Sequence, residues 1–143
     1  MNVAVIHDAL AAQLRSNIAR DVTVYAFDPG EGGRSYPCIV IDPGDPYVEY
    51  HTTFGDNALA GIELRVRVLI NAAELDQRIA LADFSSAGTD APSSILGAVE
   101  TSLSLGNVVA NVCCFRVHGF EPDEPGVLSA TFDVQVRTHR EEN

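Results

Sequence analysis

The chain contains no lysine. All nine of its basic residues are arginine, set against twenty acidic residues, and the formal net charge is −11. A surface this acidic disfavours tight phosphate binding, which needs clustered basic side chains. It does not exclude DNA as a neighbour, because a negative wall lets DNA slide past without sticking. Solubility alone is the simpler account of the same charge. The acids are spread along the chain, eight against three arginines up to Ala60 and twelve against six after it.

Long apolar runs are also missing. None reaches the roughly 20 residues needed to cross a bilayer. The N-terminal MNVAVIHDAL has no basic leader and carries Asp8 inside its apolar stretch, so it does not read as a secretory signal. The expectation is a soluble protein made in a cytoplasm. Cysteine is sparse. Cys38 stands alone and Cys113–Cys114 are adjacent in a predicted strand, which makes neither a disulfide framework nor a CxxC site. Adjacent strand residues point to opposite faces, so the pair is read as small apolar residues rather than as ligands of one ion.

Catalytic patterns are equally scarce. His7, His51, His118 and His139 show no HExxH spacing and no CxxC partner. His51 lies two residues from Glu49, where a surface ion pair is the better reading than a ligand pair. Glu121, Asp123 and Glu124 after His118 lack the EF-hand pattern and read as an acidic turn. Gly30, Gly32 and Gly33 are not followed by GK[ST], so they make no phosphate loop. Ser85–Ser86 and Ser93–Ser94 lack a nucleophile-elbow context. No catalytic residue, metal ligand or cofactor is expected, and the chain is read as a non-enzyme.

What is present is alternation. In Gly61–Ile70, reading GIELRVRVLI, Ile62, Leu64, Val66, Val68 and Ile70 alternate with Glu63, Arg65, Arg67 and Leu69. Side chains on a strand alternate between faces, so this is a long strand with one buried and one largely polar face. Val127–Thr138 repeats the pattern, with Leu128, Ala130, Phe132, Val134 and Val136 facing in and Ser129, Thr131, Asp133, Gln135 and Arg137 facing out. If the two strands lie close together, Glu63, Arg65 and Arg67 meet Asp133, Gln135 and Arg137 across one charged face.

The remaining elements follow from spacing. Val3, Ile6, Leu10, Leu14 and Ile18 predict a helix over Asn2–Ala19. Val22–Phe27 is a short strand, and Asp28–Pro37 (DPGEGGRSYP) is a loop. Cys38–Asp42 is a strand stopped by Pro43-Gly44-Asp45-Pro46, and Tyr47–Thr53 is another. A second helix covers Glu74–Phe84 with a stripe of Leu75, Ile79, Ala82 and Phe84. A third covers Pro92–Leu103, capped by Asp90, with Ile95, Ala98, Val99 and Leu103 inward and Gly106 as terminator. Val108–Phe120 and Val127–Thr138 form a hairpin around Glu121–Gly126, and the tail His139–Asn143 frays. The order is α-β-β-β-β-α-α-β-β in a single domain over residues 1–143. The fold class is α+β, a single mainly antiparallel, mixed sheet with helices packed on one face. At 143 residues, such a domain buries roughly 68–70% of its unfolded surface.

This succession resembles the tail terminator, or tail completion, proteins of long-tailed, non-contractile bacteriophages. The resemblance runs through VAVIHDALAAQL, VTVYAF, YPCIVID, YVEYHTTFG, RVRVLINAA, ELDQRIALADF, SSILGAVETSL and SATFDVQVRT. It covers nearly the whole chain as a pattern of elements, without a diagnostic motif. It implies a structural virion protein that forms a homohexameric ring on the head-proximal end of the tail tube. Such a ring ends tube growth and gives the head-neck complex its docking surface. The implied partners are other copies of the chain, the major tail tube protein and the head-tail connector or stopper protein. Genomic DNA passes through the ring without specific binding, and no membrane is involved. The implied location is the neck of the virion. Two alternatives stay open, another neck protein of the connector or stopper type and a small ligand-binding or enzymatic α+β domain.

Aromatics and arginine are enriched in protein interfaces. The loop Asp28–Pro37 carries Arg34 and Tyr36, and Pro43–Gly55 carries Tyr47, Tyr50 and Phe54. These five are the interface residues expected from sequence, with Tyr47, Tyr50 and Phe54 on an arm that reaches a neighbouring subunit or the tube.

Overall fold

The structure is a computed structural model and describes residues 1–50, 59–88 and 92–139. Helix α1 spans Val3–Asn17, with the Asn2 side chain accepting a hydrogen bond from the Val5 amide. Strand β1 is Thr23–Tyr25, β2 is Cys38–Tyr50 and β3 is Leu59–Asn71. Helices α2 (Leu75–Phe84) and α3 (Ile95–Glu100) follow, then β4 (Asn111–Glu124) and β5 (Val127–His139). The five strands make one mixed sheet in the order β1-β2-β3-β5-β4. Only the β1–β2 pair is parallel. The chain is therefore α+β.

All three helices contribute to one core on one face of the sheet. Ile62, Leu64, Val66, Val68 and Ile70 of β3 meet Ala130, Phe132, Val134 and Val136 of β5, all at most 1% exposed. Ile6, Leu10 and Leu14 of α1 and Leu81 and Phe84 of α2 lie on top of them. Period-two alternation on the strands and a 3.6 period on α1 thus supply the two halves of this layer.

Four expectations are corrected. Cys38–Asp42 and Tyr47–Thr53 are not separate strands, so the order is α-β-β-β-α-α-β-β. The register runs from Pro43↔Leu64 to Val48↔Ile62, and the Pro-Gly-Asp-Pro run is absorbed as a bulge within β2. Gly44 sits there because a Cβ would lie 2.8 Å from both the Cβ and the carbonyl oxygen of Glu63. The residues of the second expected strand beyond Tyr50 lie outside the described residues.

Helix α2 is turned away from its expected orientation. Phe84 is 0% exposed, whereas Leu75 is 66% and Ile79 49% exposed, and Ala82 is exposed as well. The helix buries Ala80, Leu81 and Phe84, and Gln77 at its N-terminal end accepts a hydrogen bond from the Asn71 amide.

Helix α3 is short. Ser94, not Asp90, caps it by accepting from the Gly97 amide, and Asp90 lies outside the described residues. After Glu100 the chain turns. Leu105, Gly106 and Asn107 all have positive φ (49°, 69° and 70°), and the hydroxyls of Ser102 and Ser104 accept from the Gly106 and Asn107 amides. That puts Leu105 in the core and leaves Leu103 52% exposed.

The last hairpin is tighter than expected. Strand β4 runs to Glu124, and Pro125–Gly126 alone make the turn, with Gly126 at φ 82°. Three register shifts interrupt β4. At the first, β4 advances from Cys114 to Arg116 while β5 advances only from Val134 to Asp133. The extra residue is Phe115, and the bulge switches the face, so Cys114 packs on the core and Arg116 does not.

Candidate interface on the open face of the sheet

The face of the sheet opposite the helices carries cross-strand rows. Arg67, Thr131 and His118 form one row over β3, β5 and β4. Arg65, Asp133 and Arg116 form the next, and Glu63, Gln135 and Cys113 the one after. The expected juxtaposition of the two charged strands is therefore present, with Arg65 directly opposite Asp133.

A groove of about 640 Å³ runs over these rows. Glu63, Arg65 and Arg67 of β3 and Thr131 and Asp133 of β5 make its floor. The β2 bulge at Gly44–Asp45 borders it on one side. On the other lies the edge strand β4, with Phe115, Arg116, His118 and Glu121. Phe115 is 50% exposed, and the Arg116 guanidinium carbon lies 5.7 Å from its ring centroid, within cation–π range.

The charges in the groove are partly used. Asp133 bonds to Nε2 of His118 at 2.7 Å. Arg67 pairs with Asp42 and reaches Asp28 at 3.4 Å. Asp28 also takes a bidentate pair from Arg34, at 3.1 Å to Nε and 2.6 Å to Nη2. The Arg34 hydrogen bond is the main reason the Asp28 carboxyl is held below its ordinary value, with the Gly30 amide helping and partial desolvation opposing. Arg65 and Arg116 are exposed on the same row.

The chain binds most of the expected interface residues into its own fold. Arg34 closes the 28–37 loop through Asp28, and its side chain is only 6% exposed. Tyr36 packs with Tyr25 on a small second cluster of Cys38, Val40, Leu69 and Val127 at one end of the open face. The hydroxyl of Tyr47 lies 2.6 Å from Nε2 of His7, and burial raises its pKa. Tyr50 is 60% exposed at the end of β2. Phe54 and His51 lie outside the described residues.

Sequence reasoning missed two sites. His7, 1% exposed, donates from Nδ1 to the Ala26 carbonyl at 2.8 Å, and its Nε2 lies 2.6 Å from the Tyr47 hydroxyl. It stacks on Phe27 at 4.4 Å, tying α1 to the β2 bulge region. Phe115 and Arg116 were missed because only the bulge brings both to the groove. Of the cysteines, Cys38 is buried and Cys113 exposed. Burial pushes the Cys114 thiol up to about 11.

A smaller hollow of about 450 Å³ lies between the end of α1 and the end of α2, and the Arg20–Asp83 ion pair lines it. No described helix is long and apolar enough to cross a membrane. No family model matches the chain, and no curated protein matches it.

Proposed function

We propose that the chain is a structural subunit of a bacteriophage tail that closes into a six-membered ring at the head-proximal end of the tail tube. The ring ends tube growth and offers the head-neck complex its seat. The observation that carries this reading is the asymmetry of the sheet. One face is covered by helices over an apolar core of aliphatic residues with Phe84 and Phe132, and the part-buried polar pair His7–Tyr47 is taken up by the chain's own hydrogen bonds. The other face is a patterned, partly apolar groove. A subunit of an assembly needs such an uncovered face, and an enzyme built between helices and sheet needs the opposite.

The element order shared with tail terminators supplies the specific role. The acidity supports it too, because DNA must pass the ring without sticking. The ring belongs in the neck, between the major tail tube protein and the connector or stopper. The test is a reconstruction of the assembled tail. One ring of this chain at the head-proximal end is the expected result. Density for the chain at the distal tip, or none in the virion, overturns the reading, and a ring against the portal side instead assigns it to the connector.

A further inference from the structure

Helix α2 and the groove lie on opposite sides of the sheet. Helix α2 carries an apolar stripe, and the groove an exposed Phe115, that their own chain leaves uncovered. At 100° per residue, Leu75, Ile79 and Ala82 form a stripe along the outer side of α2, opposite the buried Ala80, Leu81 and Phe84. On the same wheel Asp76 and Asp83 flank the stripe on one side and Arg78 on the other. The groove shows the converse pattern, with exposed Phe115 beside Arg65 and Arg116 and with Glu121 further along β4.

We infer that the groove of one copy receives the outer face of helix α2 from a second copy. Leu75 and Ile79 lie against Phe115, and Asp76 on the flank of α2 faces Arg65 and Arg116, Asp83 being paired with Arg20 of its own chain. The inference rests on the ring reading for its occupant, and it names the two surfaces through which that ring closes. The exposed Arg65 and Arg116 favour an acidic helix such as this chain's own α2, with its exposed Asp76. The groove lining holds three arginines against four acids, while the rest of the chain has six against sixteen. An approaching acidic helix therefore meets its least repulsive surface there.

The size is adequate. A typical interface takes about 800 Å² from each partner, roughly a tenth of the chain's 7693 Å² of accessible surface. Two such patches fit without overlap. Because the patches differ, the contact is heterologous, and each copy bridges two neighbours, as a ring requires.

The test uses two double variants of the full chain. Leu75→Asp/Ile79→Asp spoils the helix face, and Arg65→Glu/Arg116→Glu spoils the groove. All four positions are exposed, so circular dichroism should match the wild type. Should either variant misfold, the pairs Leu75→Ser/Ile79→Ser and Arg65→Gln/Arg116→Gln replace it. Sedimentation velocity from micromolar to millimolar is expected to show wild-type self-association weakened about thirtyfold or more in each variant. An equimolar mixture is expected to form a two-chain complex and nothing larger, since only one intact groove and one intact helix face meet. A wild type that stays monomeric at millimolar concentration overturns the inference. So does a variant that associates like the wild type, or a mixture that forms no complex. None of these results touches the position of the chain in the tail, which the reconstruction decides separately.

Discussion

Replacing Phe84 by alanine separates two orientations of helix α2 that the sequence alone cannot tell apart. In the structure Phe84 is 0% exposed and Leu75 66% exposed. A buried Phe→Ala change costs about 3–5 kcal/mol, the lost transfer energy plus the cavity left behind. Burying a whole leucine is worth about 1.5–3 kcal/mol. Only about a third of Leu75 is out of water, so Leu75→Ala forfeits about 0.5–1 kcal/mol. The better helix propensity of alanine returns a few tenths of that. Ile79→Ala, at 49% exposure, falls in the same low range, with a larger propensity gain offsetting its somewhat greater burial. The measurement is urea unfolding at micromolar concentration, where self-association does not inflate the native state. The midpoint of Phe84→Ala should fall far below the wild type at an unchanged slope. The two outer-face variants should stay close to it. If Leu75→Ala or Ile79→Ala cost more than about 2 kcal/mol while Phe84→Ala cost less than about 1, the helix is turned the other way. The stripe offered to a second copy would then be part of the core.

Three further outcomes follow from the same contacts. Val68 is 0% exposed in the middle of β3, so Val68→Asp buries an unpaired carboxylate and should give insoluble or unfolded protein by circular dichroism; wild-type melting would refute the register. Gly44→Ala puts a Cβ 2.8 Å from Glu63 backbone and side-chain atoms and should cost about 1–3 kcal/mol, with NMR shifts concentrated at Glu63 and Arg65; an unchanged melting temperature would show that the bulge can yield. Asp28 titrates below its ordinary value of 3.8, so its pairing stabilises the fold at neutral pH and is lost as pH falls through the lower folded value. Asp28→Asn should therefore destabilise most at neutral pH and converge with the wild type in acid, and a gap that persists at the acid end would break the assignment.

Much of the fold was legible because the signals were strictly periodic. The alternations in Gly61–Ile70 and Val127–Thr138 placed the paired strands and most of the core, and the three-and-four spacing from Val3 to Ile18 placed α1. What was illegible has physical reasons. Helix α2 carries apolar residues on both sides, Leu75, Ile79 and Ala82 against Ala80, Leu81 and Phe84. Its own periodicity does not choose between them, and burial of the largest ring does. The Pro-Gly-Asp-Pro run reads as a strand end, but a bulge lets the strand continue past it while the partner advances only from Leu64 to Ile62. The groove was hidden by parity. Simple alternation puts Cys114, Arg116 and His118 on one face. The extra residue at Phe115 breaks that alternation and sends Arg116 and His118 to the open face beside Arg65 and Asp133.

That shift of parity is what gives the open face its character. Without the bulge, Arg116 would point toward the apolar core, where an unpaired guanidinium is costly, and Phe115 would face the groove without the arginine beside it. With it, an edge strand that would otherwise present a long regular row of free backbone groups is kinked and charged, both of which oppose indiscriminate strand pairing. The same device leaves one exposed aromatic ring beside cations in a chain that is otherwise strongly acidic. An arrangement that blocks edge-to-edge association while offering a specific, charge-keyed seat suits a subunit that must remain soluble alone and then join a defined number of identical neighbours. Acidic side chains away from the groove oppose non-specific contacts between free copies. In the proposed ring, the end of a completed tube would add to the specific contact by concentrating the copies and aligning them.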